Sequence, residues 1–190
     1  MTLILASASP RRSELLQQIG VIFEVVIRSI DETPQENEQA SAYGARVALE
    51  KAQRVADEHA QRTILAADTC ISLNNKILTK PENAADAKSM LHSLSGQKHQ
   101  VYTAVALVKG GTEQVITVCT DVYFKQLSSG QIDNYVATQE PLGKAGSYAI
   151  QGFGAVLVEQ ISGSYSNVVG LPLAETAVLL EQFNVSIWQS

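Results

Sequence analysis

The sequence predicts an α/β protein built on a mixed β-sheet with helices on both faces. Three observations carry that expectation. Short aliphatic and β-branched runs at Leu3–Ala6, Val21–Ile27 and Thr63–Ala67 alternate with helical patterns, as crossover units do. Gly110-Gly111 separates two longer runs, Gln100–Val108 and Gln114–Phe124, which is a hairpin signal and adds antiparallel strands. Crossover helices together with a hairpin argue for a mixed sheet rather than an all-parallel one. A chain of 190 residues is expected to form a single domain over residues 1–190.

Taken in order, Leu3–Ala6 reads as a buried strand. Ser9 suits an N-cap, Pro10 suits the first helical position, and Leu15, Leu16 and Ile19 form an apolar stripe closed by Gly20. Val21–Ile27 reads as a second strand and Asp31-Glu-Thr-Pro34 as a turn. A helix from Ala40 to about His59 carries Val47, Ala48, Ala52 and Val55. Lys51 lies four residues from both valines, close to that apolar stripe. Thr63–Ala67 forms a strand, Asp68-Thr69 breaks it, and Cys70–Leu73 resumes before an Asn74-Asn75 turn. Lys80-Pro81 precedes a helix bearing Ala84, Ala87, Leu91 and Leu94, ended by Gly96. Ser128 and Gln131 form a capping box for a short helix. Ala155–Ile161 reads as another strand, and Gly170-Leu-Pro172 opens a last helix.

The bulk charge narrows the partners. The net charge is −5 and there is no basic stripe of the kind that wraps nucleic acid, so no nucleic-acid partner is expected. Any polyanion must be held by a few aimed cations. No run approaches the roughly 20 apolar residues of a membrane span. The apolar run Leu3–Ala6 is short and its arginines follow it, the wrong order for a signal peptide, so a cytoplasmic protein is expected. Cys70 and Cys119 both sit in apolar runs and read as small buried hydrophobes.

Four cations stand where local rules disfavour them. Arg11 and Arg12 fall in the first turn of a helix, whose N-terminus is already positive and binds anions readily. Lys80 stands just before another helix, and Lys51 beside an apolar stripe. A phosphate chain would offset all four; extension into water is the alternative for each. Asp68 follows an apolar strand, where a carboxylate can hold a hard cation or accept a proton from water, or simply start a turn. Asp31-Glu32 offers a further carboxylate to the same rim. Ile150-Gln-Gly-Phe-Gly154 matches only part of a dinucleotide fingerprint, with no helical pattern after it. His59, His92 and His99 have no metal-ligand spacing.

Several of these segments together resemble the Maf nucleotide pyrophosphatases. The likeness rests on Ala6-Ser-Ala-Ser-Pro-Arg-Arg12, Glu50-Lys-Ala52, Ala67-Asp-Thr69, Lys80-Pro81, Leu94-Ser-Gly96 with Val101-Tyr-Thr103, Lys144-Ala-Gly146, Ile150-Gln-Gly152 and Val169-Gly-Leu-Pro172. It spans nearly the whole chain. Ala66 stands where the family often has Gly, and Gly143 where Asp is frequent.

The resemblance implies an elongated mixed β-sheet in two lobes around a cleft, a Maf/ITPase-like fold. It implies hydrolysis of a nucleoside triphosphate to the monophosphate and pyrophosphate with a divalent metal, Mg or Mn. Arg11, Thr69 and Gln151 match the branch that prefers dTTP and UTP, with modified pyrimidine nucleotides as further candidates. By the same resemblance Asp68 is the proton acceptor, Glu32 and Asp68 face the metal, and Ser9, Arg12, Lys51 and Lys80 bind phosphate. A homodimer is likewise implied. Gln151 suits a base edge because its amide offers one acceptor and two donors, but it needs a neighbour such as Thr69 to fix its orientation. A non-catalytic nucleotide-binding regulator of cell division, acting through a protein partner, is the alternative; so is a structural protein with a vestigial cleft.

Overall fold

The computed structural model describes residues 2–189. A seven-stranded mixed sheet forms the centre, with strand order β2-β1-β3-β5-β6-β7 and β4 also paired to β3. Strands β1 (Leu3–Leu5) and β2 (Phe23–Val25) run parallel to each other, and β1 runs parallel to the start of β3 (Ile64–Leu73). Strands β4 (Lys76–Leu78), β5 (Lys98–Lys109), β6 (Thr112–Phe124) and β7 (Val158–Ser162) join antiparallel. Two tight turns drive the hairpins. Asn74-Asn75 and Gly110-Gly111 each hold two consecutive positive φ angles, the backbone that matches the twist of paired strands.

The chain leaves β1 through α1 (Pro10–Gln18) to reach β2 on one side. It then crosses through α2 (Ala40–Ala56) to β3 on the other side. The winding direction therefore reverses between β1 and β3, the place where open α/β sheets bind ligands. Helices α3 (Ala84–Leu94), α4 (Ser129–Ala137), α5 (Tyr165–Val169) and α6 (Leu173–Gln182) complete the fold.

Helices cover both faces, as expected. On one face α2 sets Ala48, Ala52 and Val55 against Ile64, Ala66, Ala104 and Ala106, small residues that let helix and sheet approach closely. Ala66, where the family often has Gly, fits within this layer fully buried. The other face carries two apolar clusters. One joins α1 and α6 through Leu15, Leu16, Leu179 and Leu180 to Leu65, Ala67, Val105 and Leu107. The second joins α3 and α4 through Leu91, Leu94, Ile132 and Tyr135 to Ile71, Val101 and Val122. These are the two lobes, and the cleft lies between them.

Several local expectations need correction. The strand around Asp68 is unbroken: β3 runs through Asp68 and Thr69, which pair with Ala104 and Thr103 of β5. Partnering on the β5 side overrides the turn preference of Asp. The second strand spans three residues only, because β1 offers no longer template. Phe153–Leu157 is a short 3-10 helix rather than the start of β7, so the stretch after Gln151 is helical after all. Cys119 is exposed on the outer face of β6, whereas Cys70 is buried. The capping box of Ser128 and Gln131 is present. Ser9 stands at the N-cap of α1 but its side chain makes no capping hydrogen bond. Among the described residues, no helix is long and apolar enough to cross a membrane.

Candidate active site

The site begins with an opening in the sheet. On the side away from β5, β3 is paired with β1 over Ile64–Leu65 and with β4 over Ile71–Leu73. Between those stretches it has no neighbouring strand among the described residues. Successive side chains point to opposite faces, so Asp68 faces α2 and Thr69 faces α1 and α5. Both reach one cleft of about 390 Å³ that opens at this gap.

On the α2 face the arrangement is ionic. Lys51 of α2 places its Nζ 2.8 Å from Asp68 Oδ1 and 3.0 Å from Glu32 Oε1. Lys80 Nζ stands 3.9 Å from Glu32 Oε2 and is largely exposed. Asp68 is buried, and its Oδ2 makes no hydrogen bond among the described residues. Burial alone would push the Glu32 carboxyl up. The attraction of Lys51, Lys80 and Arg12 outweighs that and holds it below the usual range. The segment carrying Glu32 is fastened to α2, since Tyr43 Oη donates to the Glu32 carbonyl at 2.9 Å and Arg46 Nη2 to the Thr33 carbonyl at 3.2 Å. Asp31 accepts from the Thr33 amide instead of facing the cleft.

On the Thr69 face the arrangement is a neutral network around one guanidinium. Arg12 donates from Nε to the Gly170 carbonyl, from Nη1 to Ser7 Oγ and from Nη2 to Thr69 Oγ1, at 3.0, 3.0 and 3.1 Å. Thr69 Oγ1 also meets Thr103 Oγ1 at 3.0 Å, and Thr103 donates to the Asn167 carbonyl at 2.8 Å. Asn167 is fully buried and donates in turn to the Val101 carbonyl and Thr120 Oγ1. This polar seam runs between the two apolar clusters of that face.

Arg11 makes no hydrogen bond among the described residues and lines the cleft with Lys144. Burial lowers the pKa of Arg11 and Lys144, and the charge of Arg11 lowers that of Lys144 further. Arg12 is lowered by the same desolvation. In all three cations desolvation is the main cause, and the nearby carboxylates (Glu140 for Arg11 and Lys144, Asp68 and Glu32 for Arg12) only partly offset it. Arg28 also lines the cleft, but its guanidinium is paired with Glu58.

A model of the Maf-like protein family matches residues 2–183. The chain belongs to the Maf family. A relative from Myxococcus xanthus named dTTP/UTP pyrophosphatase is 51% identical over 189 residues, covering 99% of this chain and 96% of its own. Another with the same name, from Escherichia coli K12, is 50% identical over 184 residues, covering 96% and 93%. Among solved structures, a HAM1 protein from Coxiella burnetii matches with a TM-score of 0.55 at 16% identity, covering 96% of this chain and 100% of that one. That last likeness concerns the fold alone.

Of the residues expected from this Maf sequence, Ser9, Arg11, Arg12, Glu32, Lys51, Asp68, Thr69 and Lys80 all line the one cleft. Gln151 does not: its side chain is exposed and unpaired, next to Ala149 and Ile150, which do line it. Thr69 does not fix Gln151, since its hydroxyl is occupied by Arg12 and Thr103. Sequence reasoning missed Ser7, Tyr43, Thr103, Glu140 and Asn167. Thr103 and Asn167 carried one readable signal, a polar residue interrupting an apolar run and a capping position after Ser164.

Proposed function

We propose that this protein hydrolyses dTTP and UTP, each to its nucleoside monophosphate and pyrophosphate. One observation carries the reading: Asp68 and several cations, among them Arg11, Lys80 and Lys144, share a single cleft, in a chain half identical over nearly its full length to proteins named for that reaction. Arg11, Lys80 and Lys144, with the N-terminus of α1, face the triphosphate. Arg12 contributes less directly, because its three nitrogens are engaged with the protein and hold the cleft wall. Asp68 Oδ2 accepts the proton of a water that attacks the α-phosphorus, while Lys51 fixes the other oxygen. The cations stabilise the charge that builds on the leaving pyrophosphate.

The donor set fits a hard divalent cation. Glu32 and Asp68 converge on one position, that of the Lys51 ammonium, and each keeps an oxygen beyond its Lys51 contact. Magnesium is commonly held by one or two carboxylates plus substrate phosphates. No cluster of three or more His, Cys, Asp or Glu builds an all-protein cage among the described residues. When bound by Glu32 and Asp68, such an ion supplies charge neutralisation at the phosphate oxygens.

Gln151, exposed at the cleft's rim, reads the pyrimidine edge in this proposal, and Arg11 and Thr69 set the branch preference. A cytoplasmic location and a homodimer belong to the same reading, by family. Incubation with a panel of nucleoside triphosphates, with products identified, tests it: thymidine or uridine monophosphate plus pyrophosphate is expected, and orthophosphate release or no turnover sinks it. Gln151→Glu is expected to shift preference away from dTTP and UTP, measured as kcat/KM across that panel.

A further inference from the structure

The exposed Gln151 side chain has no partner of its own, yet the backbone on either side of it is pinned by one carboxylate. Glu140 Oε2 accepts from the Phe153 amide at 2.9 Å, and Oε1 accepts from the Gly154 amide at 2.9 Å and from Tyr135 Oη at 2.8 Å. Tyr135 Oη itself accepts from the Ala149 amide at 3.1 Å. The same two side chains therefore hold residue 149 before Gln151 and residues 153 and 154 after it. Gly152 lies against the Glu140 carboxylate so closely that a Cβ there would collide with it. Burial would raise the Glu140 pKa; the two amides, the Tyr135 hydroxyl and Lys144 reverse that and favour the ionised, acceptor-only form.

We infer that Glu140, with Tyr135, is a positioning residue that fixes the Ala149–Gly154 segment, and through it the cleft wall at Ala149 and Ile150 and the orientation of Gln151 toward the base. This rests on the reading of Gln151 given above. The held backbone does not stop the Gln151 amide from turning over about its own bond. It sets where that amide stands and the direction from which it meets a base edge, so a bond to the N3–H and carbonyl of uracil weakens once the segment moves. Glu140 is not among the residues that line the cleft, so its loss is expected to act on base choice before it acts on chemistry.

The test compares wild type with Glu140→Ala and Tyr135→Phe in two measurements. Amide hydrogen exchange at Phe153 and Gly154 is expected to accelerate at least about tenfold in Glu140→Ala, since the acceptor of both bonds is gone. The preference for UTP over CTP, read both as a ratio of kcat/KM and as a calorimetric Kd ratio, is expected to fall about tenfold, the discrimination of one net hydrogen bond. The loss should sit in KM for UTP rather than in kcat. Tyr135→Phe keeps the two bonds from Glu140 to the amides and should change both readouts less, in the same direction; it decides the matter if Glu140→Ala does not fold. Unchanged exchange overturns the inference. So does faster exchange with an unchanged UTP-to-CTP ratio. Failure of the pyrophosphatase reading looks different: the wild type itself would release no pyrophosphate, and the Kd ratio would still report on Glu140.

Discussion

The two faces of β3 at the gap are built by opposite means. Toward α2, Asp68 sits among charges, with Lys51, Glu32 and Lys80 in contact or close to it. Toward α1 and α5, Thr69 sits in a mesh of hydroxyls, carbonyls and one guanidinium whose three nitrogens each bond to the protein. Neighbouring residues of one strand thus serve different ends. The charged face leaves groups with capacity to spare, such as Asp68 Oδ2, and is where proton transfer belongs. The hydroxyl face bonds mostly within itself and joins the two lobes, leaving the buried Asn167 Oδ1 without a partner among the described residues. The lesson is that a residue can line a binding cleft and still spend itself on the protein.

Substitutions can break this contrast, beginning with the largest effect. Asp68→Asn should lower pyrophosphate release from dTTP by at least about a thousandfold, in the range of a lost general base, while the melting temperature stays near wild type. Near-normal turnover would remove Asp68 from the chemistry. Arg12→Ala should cost about 3 kcal/mol of stability in denaturant unfolding, because three acceptors lose a charged donor, and Arg12→Lys should not restore it. Arg11→Ala should leave stability within about 0.5 kcal/mol, because Arg11 makes no hydrogen bond among the described residues, and act on KM for the nucleotide instead. Equal effects from both arginines would erase the distinction. Thr103→Val should cost about 1–2 kcal/mol by orphaning the Thr69 hydroxyl and the Asn167 carbonyl at the seam.

The smallest effect is the sharpest in pH. The Glu32 carboxyl has a lower pKa folded than unfolded, so the unfolded chain binds its proton first. Its contribution is complete above the ordinary Glu value and is lost as pH falls through the folded one. Glu32→Gln should therefore cost about 0.5 kcal/mol at neutral pH, the modest value of a partly exposed pair, and nothing at the acid end. The Thr103→Val cost should not vary over the same range, because no carboxylate takes part in that network.

Much of the fold was legible because the signals were local. Hydrophobic periodicity placed α1, α2, α3 and α6, and paired turn residues placed the β5–β6 hairpin. Strand β4 and helix α5 were missed, being three and five residues long and defined by their tertiary partners. The break expected at Asp68 failed for the same reason: nine residues of β3 find partners on β5, and that ladder outweighs one residue's turn preference. Among site residues, those placed against local rules were legible. Lys51 beside an apolar stripe is the plainest, its ammonium bridging Asp68 and Glu32. Arg12 was legible as a site residue but not as a strut, because its acceptors come from Ser7, Thr69 and Gly170, far apart in the chain. Glu140 offered no local oddity, since a carboxylate before a proline is ordinary; only folding brings the amides of residues 153 and 154 to it.

The continuity of β3 has a consequence for turnover. The backbone under Asp68 is laced to β5 from Ile64 to Ser72, the part of a fold that opens least often. Asp68, the proposed proton acceptor, is thus a fixed point, and whatever widens to admit a nucleotide or release its fragments must lie across from it. The stretch carrying Glu32 is tied to α2 through Tyr43 and Arg46, so of the strandless stretches along the cleft the one around Lys144 is left to give. Alignment would then depend on that single arm returning to an acid that never left its place.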